Sequence, residues 1–232
     1  MKESTLSKGV MTWAAKGLFA KVVVALILFL SAGRIDWTMG WVYVGIFAAF
    51  DLATALAVIP RHPDLLVERS NIQAGTKRWD AIIVRLSAAY LPMASWLVAG
   101  LDERFGWTPD LPLALQLAAV AVTVLGYALV VWAMAANAYF STTVRIQDER
   151  GHTVVTAGPY RFVRHPGYVA SITFTTSAPV MLGSLWALIP ALLSAAFYIV
   201  RTALEDKTLH EELDGYVEYA QQTRYRLLPG IW

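Results

Sequence analysis

Between His152 and Tyr168 the chain reads His-Thr-Val-Val-Thr-Ala-Gly-Pro-Tyr-Arg-Phe-Val-Arg-His-Pro-Gly-Tyr, a concentration of hydrogen-bonding side chains in an otherwise apolar sequence. Such a polar island beside a bilayer implies something for it to bind. Pro166 biases His165 toward an extended backbone. The helix that starts there presents free N–H groups next to Arg164 and His165, an anion site for a carboxylate or phosphate. Gly158 and Gly167 permit close backbone approach, and Tyr160 and Tyr168 add flat π-faces. Further along, Arg201 and Glu205 stand four apart on one helical face, with Asp206 as a second carboxylate. Carboxylates at the end of a membrane helix suit an ammonium or another cation. Asn137 opens the polar segment and adds an amide.

The elements that must position these groups are helices in a membrane. Hydrophobic residues make up 57% of the 232, charged residues only 16%, and mean hydropathy is +0.50, against roughly 45–50% apolar and about 25% charged in soluble domains. Apolar runs predict six crossings, near 17–32, 37–59, 81–101, 111–136, 168–182 and 185–200. The last two are short and read as a helical hairpin with its tip at Gly183-Ser184, kinked at Pro179 and Pro190. The expected fold is thus an all-α polytopic bundle forming a single integral membrane domain over 1–232. Residues 1–136 form four N-terminal spans, and 137–232 hold the motifs, the hairpin and cytoplasmic interfacial helices.

Positive charge accumulates on the cytoplasmic side of membrane proteins, and fifteen of the nineteen Lys and Arg fall on one side of this topology. They are Lys2, Lys8 and Lys16; Arg61, Arg69, Lys77 and Arg78; Arg145, Arg150, Arg161 and Arg164; and Arg201, Lys207, Arg224 and Arg226. Arg34 and Arg104 lie opposite, and Lys21 and Arg85 fall within spans. Both termini are therefore expected in the cytoplasm. The first run is read as a crossing and not a cleaved signal peptide, because removing it would spoil this balance. Trp13, Trp37, Trp41, Trp79, Trp107 and Trp186 sit near span ends, where amphipathic rings favour the headgroup zone. Asp51 is expected to pair with Arg85 inside the bundle. Pro63 is expected near the first turn of an interfacial helix.

Several classes are set aside by composition. A net charge of +2 without basic stretches interleaved with aromatics excludes a nucleic-acid surface. Cysteine is absent, which removes disulfides and a thiolate nucleophile. The four histidines lack the spacing of a metal site. His210, Glu211 and Glu212 read as a solvated helix face, and Tyr216, Tyr219 and Trp232 as interfacial anchors.

An anion site, carboxylates and aromatic faces together match S-adenosylmethionine, whose methionyl end carries a carboxylate and an ammonium and whose sulfonium is drawn to π-faces. The ordered motifs His152-x-Val-Val-Thr156-x-Gly158-x-Tyr160, Arg164-His165-Pro166-x-Tyr168, Arg201-x-x-x-Glu205-Asp206-x-x-Leu209, Gly215-Tyr216-x-x-Tyr219 and Arg226-Leu-Leu-Pro229 resemble the isoprenylcysteine carboxyl methyltransferase family. Related phospholipid methyltransferases share parts of this pattern. The resemblance covers about the last hundred residues. It implies a polytopic enzyme that binds S-adenosylmethionine at the cytoplasmic face and takes a lipophilic methyl acceptor from the bilayer. Carried across, His165, Tyr168 and Glu205 become cofactor contacts, as do His152 and Gly158, and Tyr160, Arg164, Pro166 and Asp206 share those motifs. Two departures are visible: Asp206 stands where the family has a second glutamate, and Ala170 where it often has glycine.

Arg201 is the candidate for orienting an acceptor carboxylate, with Asn137 assisting and Glu205 at the reacting end. A carboxylate acceptor needs no general base, which favours ester formation over N-methylation. Two other readings stay open at this stage. One is an NADPH-dependent reductase of sterol-like double bonds, which shares the Arg-His-Pro-x-Tyr element. The other is a non-catalytic lipid-binding or transport protein.

Overall fold

The computed structural model describes residues 3–69 and 73–232; Lys2, counted above among the basic residues, lies outside the described residues. In lipid, an apolar run satisfies its own backbone only as a helix or a closed barrel, and among the described residues every regular element is helical. They run as α1 (Glu3–Ala32), α2 (Thr38–Val58), α3 (Pro63–Arg69), α4 (Arg78–Arg85), α5 (Leu91–Phe105), α6 (Leu113–Ala136), α7 (Pro166–Met181), α8 (Leu188–Glu212) and α9 (Tyr216–Gln222).

Five helices are long and apolar enough to cross a membrane: α1, α2, the rod from Arg78 to Phe105, α6 and α8. The rod joins α4 to α5 through a π-turn at Leu86–Tyr90, where Pro92 cannot donate to the turn before it. The expected sixth crossing, α7, has 16 residues and rises about 24 Å at 1.5 Å per residue. It packs along α6 and turns back into α8 at Gly183, whose φ of 83° only glycine adopts without strain. The expected hairpin is present. Its second arm does not stop near Val200, however, and continues unbroken to Glu212. Pro190 falls in the first turn of α8, where its missing N–H leaves no bond unmade.

Small residues let the helices approach closely. A Cβ on Gly100 would lie 1.9 Å from Ser31 Oγ and 2.6 Å from the Leu28 carbonyl, so α1 and α5 touch backbone to backbone. At Gly126 a Cβ would lie 3.0 Å from the Phe174 amide, and beside it Tyr127 stacks on Phe174 with ring centroids 4.4 Å apart. Toward one end of the bundle, Leu28, Trp37, Ala99 and Met181 form a core. Toward the other, Val58, Leu65, Leu66, Val130, Met134 and Ala170 form a second.

Asp51 pairs with Lys21, not with Arg85 as expected. Lys21 also donates to the Gly17 carbonyl one turn away and lies over the Phe47 ring, so α1 supplies the partner, while Arg85 is exposed.

The two ends of the bundle differ in content. At one, the turns after α1, α5 and α7 meet: Asp102, buried at 3% exposure, accepts from the Thr108 amide, the Thr108 hydroxyl and Ser184 Oγ. At the other end α3, the segment 137–165, the polar end of α8 and α9 converge. The motif residues are there.

Candidate active site

These last elements enclose a cavity of about 210 Å³. Of the residues singled out from sequence, Asn137, His152, Tyr160, Arg164, His165, Pro166, Tyr168, Arg201 and Glu205 line it. Gly158 and Asp206 do not. Gly158 holds φ +60° against α6, where a Cβ would come within 2.8 Å of Ala136 Cβ, so its part is to let the chain pass. Gly167 does line the cavity, and a Cβ there would strike the Phe140 ring at 2.6 Å.

One wall is built by α8. Arg201 and Glu205 project into the chamber one turn apart, as their spacing requires. The Tyr168 hydroxyl, from the first turn of α7, donates to Glu205 Oε2. Arg201 lies over the Tyr168 ring, 5.3 Å from its centroid. Its guanidinium is fixed from behind by Asp80, which accepts from Nε at 2.6 Å and from Nη2 at 3.0 Å, while Nη2 also donates to the Thr142 carbonyl. No described residue accepts from the remaining nitrogen, Nη1. Arg201 is thus a held cation with one face left for the chamber.

Asp206, one residue on, points to the other side of α8 and is 0% exposed. It accepts from Arg164 Nε and Nη2 (2.8 and 3.1 Å), from the Tyr216 hydroxyl (2.9 Å) and from Arg226 Nε (2.7 Å), and His165 Nε2 lies 3.0 Å from Oδ1. Arg164 also donates through Nη1 to the carbonyls of Thr223 and Arg224, and its amide and that of His165 bond to the Tyr225 and Arg226 carbonyls. Arg164 is therefore spent on Asp206 and the backbone of 223–226. Its expected grip on a ligand carboxylate gives way to a grip on the fold.

The roof is the segment 137–157, which is tied from across the sequence. Arg145 pairs with Glu68, Arg150 with Asp64, and the Val144 amide with Asp80. Asn137 donates to the Tyr160 hydroxyl at 3.0 Å, and burial pushes that phenol above its ordinary range. His152 stacks against Tyr139, 4.5 Å between centroids, and accepts from the Gln147 amide through Nδ1 at 3.4 Å. Burial first, then the charge of Arg150, lowers the imidazole pKa to about 4. It is neutral near pH 7, with Nε2 carrying its proton.

Tyr216 and Tyr219 are not surface anchors. They are 3% and 5% exposed, line the chamber and make up part of a small core with Tyr160 and Leu213. Burial raises both phenols, with Asp206 adding to the effect at Tyr216 and Tyr219 pushed up to about 12. Trp232 instead lies beneath Arg226, 5.0 Å from its guanidinium. Sequence reasoning also passed over Asp80, Arg69, Tyr139 and Tyr198 as site residues. Asp80 is the one with a readable signal: an acid in the first turn of a span-forming helix, 0% exposed once folded.

Apolar crossings with a polar-lined cavity at one end define a polytopic helical membrane protein. Residues 119–211 match the model of the isoprenylcysteine carboxyl methyltransferase family, which bears out the resemblance read from the motifs and supports a membrane methyltransferase of that type. The matched segment runs from within α6 to within α8 and so takes in Asn137, the roof, α7 and the Arg201–Glu205 face. None of the curated proteins compared matches the chain significantly.

Proposed function

We propose that this chain is an S-adenosylmethionine-dependent methyltransferase that esterifies the carboxylate of a lipophilic acceptor at the cytoplasmic face of its membrane. The observation that carries the reading is the Tyr168–Glu205–Arg201 wall: a carboxylate, an aromatic face and a held guanidinium on one surface of one chamber.

The donor set fits the cofactor. Glu205 suits the ammonium or sulfonium cation, Tyr168 and Tyr198 supply π-faces, and Val154, Val155, Leu209 and Leu213 form an apolar strip for a purine. The bound cofactor would supply an electrophilic methyl on a sulfonium, whose positive charge is cancelled as a carboxylate is esterified. The protein's work is then positioning and exclusion of water. Asp80 holds Arg201 so that an acceptor carboxylate meets a fixed guanidinium. Tyr160 holds the Asn137 amide, leaving its carbonyl to accept from the Tyr139 amide at 2.8 Å. The salt bridges from α3 hold the roof down. Val84, Ala88, Ser171 and Tyr198 extend the lining into the apolar depth of the bundle, the direction from which a greasy acceptor arrives.

NADPH is the poorer fit. Its phosphates need several cations, yet Arg164, Arg145 and Arg150 are each paired with a carboxylate, and Glu205 places a further negative charge in the chamber. The concentration of basic residues at the chamber end supports its cytoplasmic placement.

The test is calorimetric titration of the purified protein with each cofactor, followed by transfer of labelled methyl into lipid extracts. Heat from S-adenosylmethionine and label in an acidic lipid are expected. Glu205→Gln should slow transfer by about 10- to 100-fold, the worth of one charged hydrogen bond. Heat from NADPH alone would reverse the assignment.

A further inference from the structure

Arg69 has no part in the reading above. It ends α3, in the link between α2 and α4, and lies outside the segment matched to the family. Half-buried, it lines the chamber, where Nη1 donates to the Phe140 carbonyl at 3.0 Å and the guanidinium lies 5.1 Å from the Phe140 ring centroid. The other chamber-end arginines that pair do so with carboxylates: Arg164 with Asp206, Arg201 with Asp80, Arg145 with Glu68 and Arg150 with Asp64. Among the described residues no carboxylate lies within ion-pair distance of Arg69. Burial, and after it the charge of Arg201, lowers its pKa to about 10. Two guanidiniums thus face one cavity: Asp80 is bound to that of Arg201, and the chamber's own carboxylate, Glu205, accepts from Tyr168 and pairs with neither. A cation held this way is expensive until an anion joins it.

We infer that Arg69 binds the carboxylate of the methyl acceptor, opposite Arg201, and so makes the chamber select anionic over neutral acceptors. The inference rests on the methyltransferase reading, which gives the acceptor its carboxylate, and adds a second residue that holds it. The acceptor's carboxylate is favoured over the cofactor's because of where Arg69 comes from. Methyltransferases of one type share a donor and differ in what they methylate, and Arg69 is contributed by a segment beyond the family match. Position agrees: Arg69 shares the cavity lining with Arg201, and Phe140 lies against both the Arg69 guanidinium and the Gly167 backbone. Esterification would remove the anion that this pair of guanidiniums holds, so the product would be bound less tightly than the acid.

The full chain in lipid nanodiscs would be titrated with S-adenosylmethionine and with N-blocked S-farnesylcysteine, both as the free acid and as its neutral carboxamide. Wild type is expected to bind the acid at least about tenfold more tightly than the amide. Arg69→Gln should bring that ratio to within about threefold while changing S-adenosylmethionine affinity by less than about threefold. Should Arg69→Gln not fold, Arg69→Lys decides: a KM for the acid raised about fivefold at near-constant kcat supports the assignment, and an unchanged KM overturns it. Equal binding of acid and amide by wild type, with S-adenosylmethionine still bound, overturns this inference and leaves the cofactor assignment standing. Loss of S-adenosylmethionine binding in Arg69→Gln with the acid preference intact hands Arg69 to the cofactor and likewise overturns it. Failure of wild type to bind S-adenosylmethionine at all removes the methyltransferase reading beneath.

Discussion

The two arginine–aspartate pairs that bracket the chamber, Arg201 with Asp80 and Arg164 with Asp206, share chemistry and bidentate geometry but not surroundings. Asp206 receives donors from Arg164, Tyr216 and Arg226, with His165 against it, and Arg164 spends its last nitrogen on two carbonyls. Asp80 receives Arg201 and one amide, and Arg201 keeps Nη1 for the cavity. The Arg164–Asp206 pair is closed and locks 223–226 onto the start of α7. The Arg201–Asp80 pair is open and offers a fixed cation. A buried ion pair becomes part of a site only when its partners leave a donor over.

The comparison breaks most violently at Asp206. Asp206→Asn leaves Arg164 and Arg226 facing a neutral amide in a buried node, a loss of about 3–5 kcal/mol. The expected outcome is a large drop in the thermal midpoint in detergent; a midpoint unchanged from wild type would show that the node is not structural. Asp80→Asn should cost less stability, about 1.5–3 kcal/mol, because Arg201 retains the Thr142 carbonyl and chamber access. Its larger signature is kinetic: a KM for the acceptor raised about tenfold, read by labelled methyl transfer. If the two variants lose stability equally with binding intact, the distinction between closed and open pairs fails.

The smallest effect concerns His152, on the roof between the two pairs. Its folded pKa of about 4 lies below the ordinary 6.5, so the unfolded chain binds a proton that the folded chain refuses. Stability from this group is complete above pH 6.5 and is lost as pH falls from 6.5 to about 4. His152→Gln should flatten the slope of thermal midpoint against pH within that window and leave pH 8 unchanged.

How much of this was readable in advance follows the distance between partners. Arg201, Glu205 and Tyr168 were legible because they interrupt apolar helices, and a polar residue in such a place is conspicuous whatever it touches. Arg69 is not, since the contact that gives it meaning lies 71 positions away and α3 reads as an ordinary interfacial turn; Asp80 shows only its place as an acid in the first turn of a span-forming helix, its partner lying 121 positions away. Arg164 was legible as important and misread in kind: the motif shows a cation beside a helix start, but only the folded chain shows Asp206 consuming it. Tyr216 and Tyr219 were taken for headgroup anchors because tyrosine near a span end fits both roles, and burial alone tells them apart. Five of the six expected crossings are well marked by hydropathy. The end of α8 was not, because its last three turns are polar on a helix whose earlier turns face lipid.

That unbroken run from Leu188 to Glu212 fixes a phase relation along the whole crossing. With about 3.6 residues per turn, Glu205 and Asp206 stand about 100° apart, so one extra residue on the lipid side would swivel the carboxylate meant for the chamber toward the sealed node. A homologous chain adapting to a thicker bilayer is therefore confined to length changes near whole turns in this helix.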